Sequence, residues 1–109
     1  MLYFGHKENG IDYPIRKSVY GILMKEDLIG VIETPRGYFL PGGGIEDGET
    51  HEACVKREFE EETGYLINVL SFITTNKEYG YAPGLNHHIE MIASYYHVEA
   101  TGETVDQIE

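Results

Sequence analysis

Basic residues are scarce in this chain of 109: eight lysines and arginines stand against 19 aspartates and glutamates, a formal net charge of −11. A protein that coats nucleic-acid phosphates carries the opposite balance, gathered in a basic patch, so this composition argues against a nucleic-acid polymer as partner. Cysteine is nearly absent. The single Cys54 excludes an intrachain disulfide and a zinc-finger pattern, and fits a reducing compartment. No cationic stretch leads into an apolar one, and no apolar run is long enough to span a bilayer. The expectation is a soluble, cytoplasmic protein without a membrane partner. Repeats and low-complexity segments are missing too, as are a GK[ST] phosphate loop, an HExxH pair and a calcium-binding EF-hand loop. What remains is one domain over 1–109, long enough to bury a core.

Glycine, by contrast, is plentiful, with 13 residues that point to loops of special backbone geometry. "KSVYGILMK" (17–25) and "LIGVIE" (28–33) are apolar or β-branched runs either side of Glu26-Asp27, a hairpin pattern. Thr34-Pro35-Arg36-Gly37 signals a turn before the short apolar step "YFL", and "PGGGIEDGE" (41–49) reads as loop. From Thr50 to Thr63 run good helix formers, with Thr50 placed as N-cap and Gly64 as the residue that closes the helix. "YLINVLSFITT" (65–75) and "HHIEMIASYYHVEA" (87–100) read as strands joined by a loop over 76–86; the stretch up to Pro14 gives no clear element. Val19, Gly21 and Leu23 alternate with Tyr20, Ile22 and Met24, so this strand is apolar on both faces and its sheet wants cover on both. Only one helix is legible, and the chain closes on the polar run "TGETVDQIE". A second covering helix is therefore expected to be absent or truncated, or its place taken by a partner subunit such as a second copy.

Charge is unevenly placed. Glu46 to Glu62 holds eight of the 19 acidic residues. On a helix, Glu58, Glu61 and Glu62 share one face near the C-terminus, where the macrodipole disfavours negative charge. Two like charges 4 Å apart cost about 4 kcal/mol at an effective dielectric near 20. A glutamate cluster alone reads as a solvated helix face. The alternative is a divalent cation that turns repulsion into ligation, Mg²⁺ or Mn²⁺ being suited to carboxylate oxygens. The glycine run ahead of the helix frees backbone for close approach to a ligand, and Arg57 could hold a carboxylate bidentately. Bound cations would also draw in a phosphate-rich substrate that so acidic a chain would otherwise repel.

These residues resemble a family. The Nudix signature is G-x5-E-x7-R-E-U-x-E-E-x-G-U, with U aliphatic. The chain reads Gly43, five residues, Glu49, seven residues, Arg57-Glu58-Phe59-Glu60-Glu61-Glu62-Thr63-Gly64-Tyr65. Every charged and glycine position matches; Phe59 and Tyr65 are aromatic where aliphatics are usual, a departure that bears on packing. The resemblance implies an α/β/α sandwich with a mixed central sheet and a MutT-like, metal-dependent hydrolase. Its substrate would be a small-molecule nucleotide, a nucleoside diphosphate linked to another moiety such as a nucleoside triphosphate or dinucleoside polyphosphate. The alternative is a domain that senses a nucleotide without hydrolysing it, although such domains usually lose box glutamates. By the same resemblance Glu58, Glu61, Glu62 and the Gly42 carbonyl would bind the metal, with Glu58 also a candidate general base. Arg57 and Glu49 would orient the box, and Glu60 would be solvated.

Outside the box the implications thin out. Glu90 stands where relatives draw a further metal ligand or base, or is a solvated strand glutamate. Tyr79 and Tyr81 lie where relatives place substrate-stacking residues, and the step from Tyr65 to Tyr81, sixteen positions, resembles diadenosine-polyphosphate members. Arg36 could meet a phosphate or be an exposed turn arginine. His87 and His88 read as loop-end histidines and Cys54 as inert packing.

Overall fold

The computed structural model describes residues 1–82, 84 and 86–104. Its backbone is a mixed sheet that includes the strand β2 (Ile15–Lys25). Elements β1 (Leu2–Phe4), β3 (Leu28–Ile29), β6 (Gly42–Gly44), β7 (Tyr65–Ala82) and β8 (His87–Thr104) complete that sheet. Strand order is β1-β7-β8-β2, and the free edge of β2 is shared by β6 at Ser18–Tyr20 and by β3 at Met24–Lys25. β1 runs parallel to β7 and β8 parallel to β2, while β7 and β8 form a long antiparallel pair with three register shifts. β4 (Ile32–Thr34) and β5 (Gly37–Phe39) make a separate two-stranded sheet.

The one helix among the described residues, α1 (His51–Thr63), starts and stops where local chemistry dictates. Thr50 Oγ1 accepts the Ala53 N–H at 3.1 Å, and Gly64 takes the left-handed conformation at φ 78° that a side chain would oppose. Cys54, Val55 and Phe59 face Val19, Ile67 and Val98 and form the buried core, with Leu23, Ile45, Val69 and Tyr96 around it. Fully burying side chains of this size stabilises by about 1.5–3 kcal/mol each. α1 therefore sits on the Val19–Gly21–Leu23 face of β2. The opposite face carries Tyr20, Ile22, Met24 and Tyr95, and stays open among the described residues, with Met24 50% and Leu70 57% exposed. No helix described is long and apolar enough to cross a membrane.

Four expectations need correction. The run 41–49 is not all loop: Gly42–Gly44 is a strand because the free edge of β2 supplies its hydrogen-bond partners, which outweighs the poor strand propensity of glycine. Residues 76–82 are strand rather than loop, since β1 pairs with 76–78 and β8 with the whole stretch. The run 28–33 is broken at Gly30-Val31: the Gly30 N–H donates to Leu23 O at 2.8 Å, after which the chain leaves for β5. The segment before Pro14 contributes β1. Of the polar terminal run, 101–104 belongs to β8 and 105–109 lies outside the described residues.

Candidate active site

Two glycines and the last turns of α1 make one corner. Gly42 needs φ 153°, and a Cβ there would overlap Val19 O and stand 2.6 Å from Tyr20 Cδ1. At Gly43 a Cβ would stand 2.7 Å from the Glu58 carboxylate. Side-chainless backbone thus lets the helix glutamates lie directly on β6. Glu62 accepts the Gly42 N–H at 3.3 Å, and Cys54 Sγ lies 3.6 Å from both Gly43 O and Gly44 O, tying helix to strand. Burial pushes the Cys54 thiol up to about 11, so it is a packing group and not a nucleophile at neutral pH.

Arg57 organises the carboxylates. Its Nε donates to Glu49 Oε2 at 2.7 Å and Nη2 to Glu49 Oε1 at 3.0 Å, a bidentate pair. The same guanidinium reaches Gly44 O at 3.1 Å, Glu58 Oε1 at 2.9 Å and Glu61 Oε2 at 3.3 Å. Side-chain exposure is 24% for Arg57, 11% for Glu49 and 15% for Glu58, but 58% for Glu61, so the first three form a shielded, oriented unit and Glu61 reaches solvent. Arg57 holds the Glu49 carboxyl down to about 2, and is itself shifted upward by Glu49.

Glu62 goes the other way. Burial first, then Glu58 beside it, pushes its carboxyl up to about 8. The corner carries more negative charge than one arginine relieves. Its donors are oxygens only, and a hard divalent cation would ease the Glu58–Glu62 repulsion, so these residues fit such an ion. Among the described residues no three acidic, histidine or cysteine groups already converge as a closed cage.

The remaining candidates lie elsewhere. Glu90 opposes Ile15 on β2 whereas Gly42 opposes Tyr20, five positions along, about 16 Å. There Glu90 is buried at 6% exposure with Lys77 Nζ 3.9 Å away, so the structure does not bring it to the box carboxylates. Tyr79 is its strand neighbour, set edge-on to Tyr13 at 5.7 Å; burial, then Glu90, raises its phenol. Tyr81 is exposed and donates to Asn86 Oδ1 at 2.6 Å, its ring edge-on to His88, while His87 Nδ1 lies 2.8 Å from His88 O. Arg36 is exposed in the β4–β5 turn, its N–H on Thr34 Oγ1 at 3.1 Å. None of Glu90, Tyr79 or Tyr81 adjoins the Gly42 corner. What the residue spacing left unseen is Tyr20 against Gly42; a side-chainless strand beside an aromatic position was the signal available.

A family model described as NUDIX domain matches residues 15–109. Over 61 residues the chain is 41% identical to an ADP-ribose pyrophosphatase of Methanocaldococcus jannaschii, covering 51% of this chain and 36% of that protein. Over 73 residues it is 36% identical to a MutT-like protein of Streptomyces ambofaciens, covering 63% of this chain and 47% of that one. The chain thus spans less than half the length of these relatives. A crystal structure of a MutT protein from Methanosarcina mazei Go1 superposes with TM-score 0.65 at 21% identity, over 89% of this chain and 77% of that one. Its likeness shows the shared fold, an α/β/α sandwich of which the described residues supply the mixed sheet and one helical layer.

Proposed function

The chain belongs to the NUDIX domain family, and on that premise we propose that it is a metal-dependent pyrophosphohydrolase. Its substrate is a nucleoside diphosphate linked to another group, of the nucleoside triphosphate or dinucleoside polyphosphate class. The observation that carries this reading is the corner itself: Glu62 on the Gly42 N–H, Glu58 over Gly43, and Arg57 spanning Glu49, Glu58 and Glu61.

Mg²⁺ or Mn²⁺ would be held by Glu58, Glu61, Glu62 and the Gly42 carbonyl. When bound, it polarises phosphoryl oxygens and neutralises charge on the phosphates. Glu58 takes a proton from the attacking water as the new P–O bond forms and the bridging P–O bond breaks, one phosphate oxygen leaving with the other group. Glu58 can do so because Arg57 fixes the orientation of its carboxylate. Glu49, held ionised by the same arginine, keeps that guanidinium from swinging to the substrate. Positioning of this kind, and not new covalent chemistry, is what phosphoryl transfer asks of a protein. Two relatives, an ADP-ribose pyrophosphatase and a MutT-like protein, support the reaction class. The test is product release from nucleoside triphosphates, ADP-ribose, nucleotide sugars and diadenosine polyphosphates, with and without Mg²⁺. No turnover of any of them with Mg²⁺ or Mn²⁺ would end the proposal.

A further inference from the structure

The sheet face that carries α1 continues past the start of the helix. There Lys17 lies beside Ile92 and Ser94 beside Thr75 in the strand register. Together with Ile45 and His51 they line a cavity of about 290 Å³. With a water taking about 30 Å³, that is room for a phosphate-sized ion and several waters. The cavity adjoins His51, the first residue of α1, whereas the carboxylate corner is at the other end of the helix. From His51 to Glu62 is about 16 Å along the axis.

The polar groups here have protons to give. Ser94, 4% exposed, and Thr75 share one hydrogen bond at 2.9 Å between their hydroxyls. Two hydroxyls hold two protons, and that bond uses one. His51 Nδ1 and the Tyr96 hydroxyl, 2.8 Å apart, repeat the arrangement: imidazole and phenol hold at least two protons, and their mutual bond uses one. Neither pair has a further side-chain partner among the described residues. Lys17 forms no ion pair among them. No carboxylate lines the cavity; Glu46 and Asp47 line the adjoining space on the far side of Lys17 and Ile45. Donors left without acceptors are costly, and an unpaired ammonium beside two of them suits an anion. Because these donors come from β2, β7, β8 and α1, they suit a tetrahedral oxyanion, which accepts from several directions.

We propose that this cavity is a second anion site, which takes a phosphate group and is separate from the carboxylate corner. Lys17 supplies the charge, and the Thr75–Ser94 and His51–Tyr96 pairs each donate one proton to the phosphate oxygens. The site goes beyond the hydrolase reading and does not rest on it, since neither metal nor scissile bond enters it. The segment 45–51 that borders the cavity also carries Glu49, the partner of Arg57. A phosphate bound here therefore braces the loop that anchors that arginine.

Titrating the metal-free protein with inorganic phosphate and with AMP, while following amide and His51 ring resonances, tests the site. Sodium chloride at matched ionic strength is the reference. Without metal the carboxylate corner repels both probes, so a response there does not mask one at the cavity. At least one probe should shift His51, Thr75 and Ser94 saturably in the millimolar range, with changes that reach Glu49 and fade toward Glu61 and Glu62. The stronger of the two probes tells whether the phosphate arrives as the inorganic ion or on a nucleoside. Lys17 is exposed, so Lys17→Met should keep the fold while weakening binding roughly tenfold. Arg16→Met removes the same charge from the next residue, on the opposite sheet face, and should leave binding unchanged. Shifts no larger than those from chloride, a response centred on Glu58 to Glu62, or equal effects of the two methionine variants would overturn the site.

Discussion

The Phe59 ring occupies the space that a side chain at position 21 would need: a Cβ on Gly21 would overlap the ring edge and stand 3.1 Å from Val55 Cγ2. Gly21 does not have a positive φ, so its backbone would accept alanine and only packing forbids it. The aromatic residue that departs from the family signature is thus matched by a missing side chain on the facing strand. Gly21→Ala should cost about 1–3 kcal/mol through overpacking. Phe59→Leu alone opens a void, but the two together should recover much of the loss, with a coupling of about 1 kcal/mol or more in a double-mutant cycle. Urea unfolding of the four proteins measures it; strictly additive losses would show that the two positions do not compensate.

The Glu49–Arg57 pair predicts an acid limb. The ordinary value for Glu49 is 4.5 and the folded protein holds it down to about 2, chiefly through the Arg57 hydrogen bonds. Between those values the unfolded chain binds more protons than the folded one, so stability rises with pH across the window. The contribution is present above pH 4.5 and is lost as pH falls toward 2. Glu49→Gln should flatten that limb of a melting-temperature profile and leave the profile above pH 5 parallel to the original. An unchanged acid limb would mean that Arg57 does not hold Glu49 in solution.

Glu58 carries the sharpest catalytic expectation. Glu58→Gln keeps the size of the side chain over Gly43 and one acceptor for Arg57 while removing the basic oxygen. Turnover should fall by about 10²- to 10⁴-fold, the range for loss of a general base, with the unfolding transition close to that of the unaltered protein. Undiminished turnover would take Glu58 out of the proton transfer.

Legibility divided along local and non-local lines. Thr50 and Gly64 close α1 through contacts within a turn, so the helix and its ends could be read from neighbours in sequence. β6 could not, because three glycines become strand only beside Ser18–Tyr20, more than twenty residues away. The strand over 76–82 likewise depends on Leu2–Phe4 and on β8, while Gly80 and Asn76 gave the look of a loop. The shared face of Glu58, Glu61 and Glu62 was readable from spacing, since the helix repeat alone sets it. Which outlying residues join it was not, as that requires register: Tyr20 falls at Gly42 and Glu90 at Ile15.

Glu62 links stability to metal. Its folded value, pushed up to about 8 from an ordinary 4.5 by burial and by Glu58, means the folded protein binds more protons than the unfolded chain between those values. Without metal, stability should therefore fall as pH rises from 4.5 to 8, opposite in sign to the Glu49 limb. Glu62→Gln removes the charge that burial penalises while keeping an acceptor for the Gly42 N–H, so the metal-free variant should melt higher than the unaltered protein at pH 8. A cation that binds only the folded state adds stability with its concentration, and here it does so by offsetting the same repulsion. Mg²⁺ should thus raise the melting temperature of the unaltered protein more at pH 8 than at pH 5, where Glu62 keeps its proton. The variant, with one oxygen ligand weakened, should respond to Mg²⁺ much less at either pH. A melting temperature that climbs from pH 5 to pH 8 without metal, or an equal Mg²⁺ response in both proteins, would mean that the carboxylate corner is not the charge-burdened site its geometry describes.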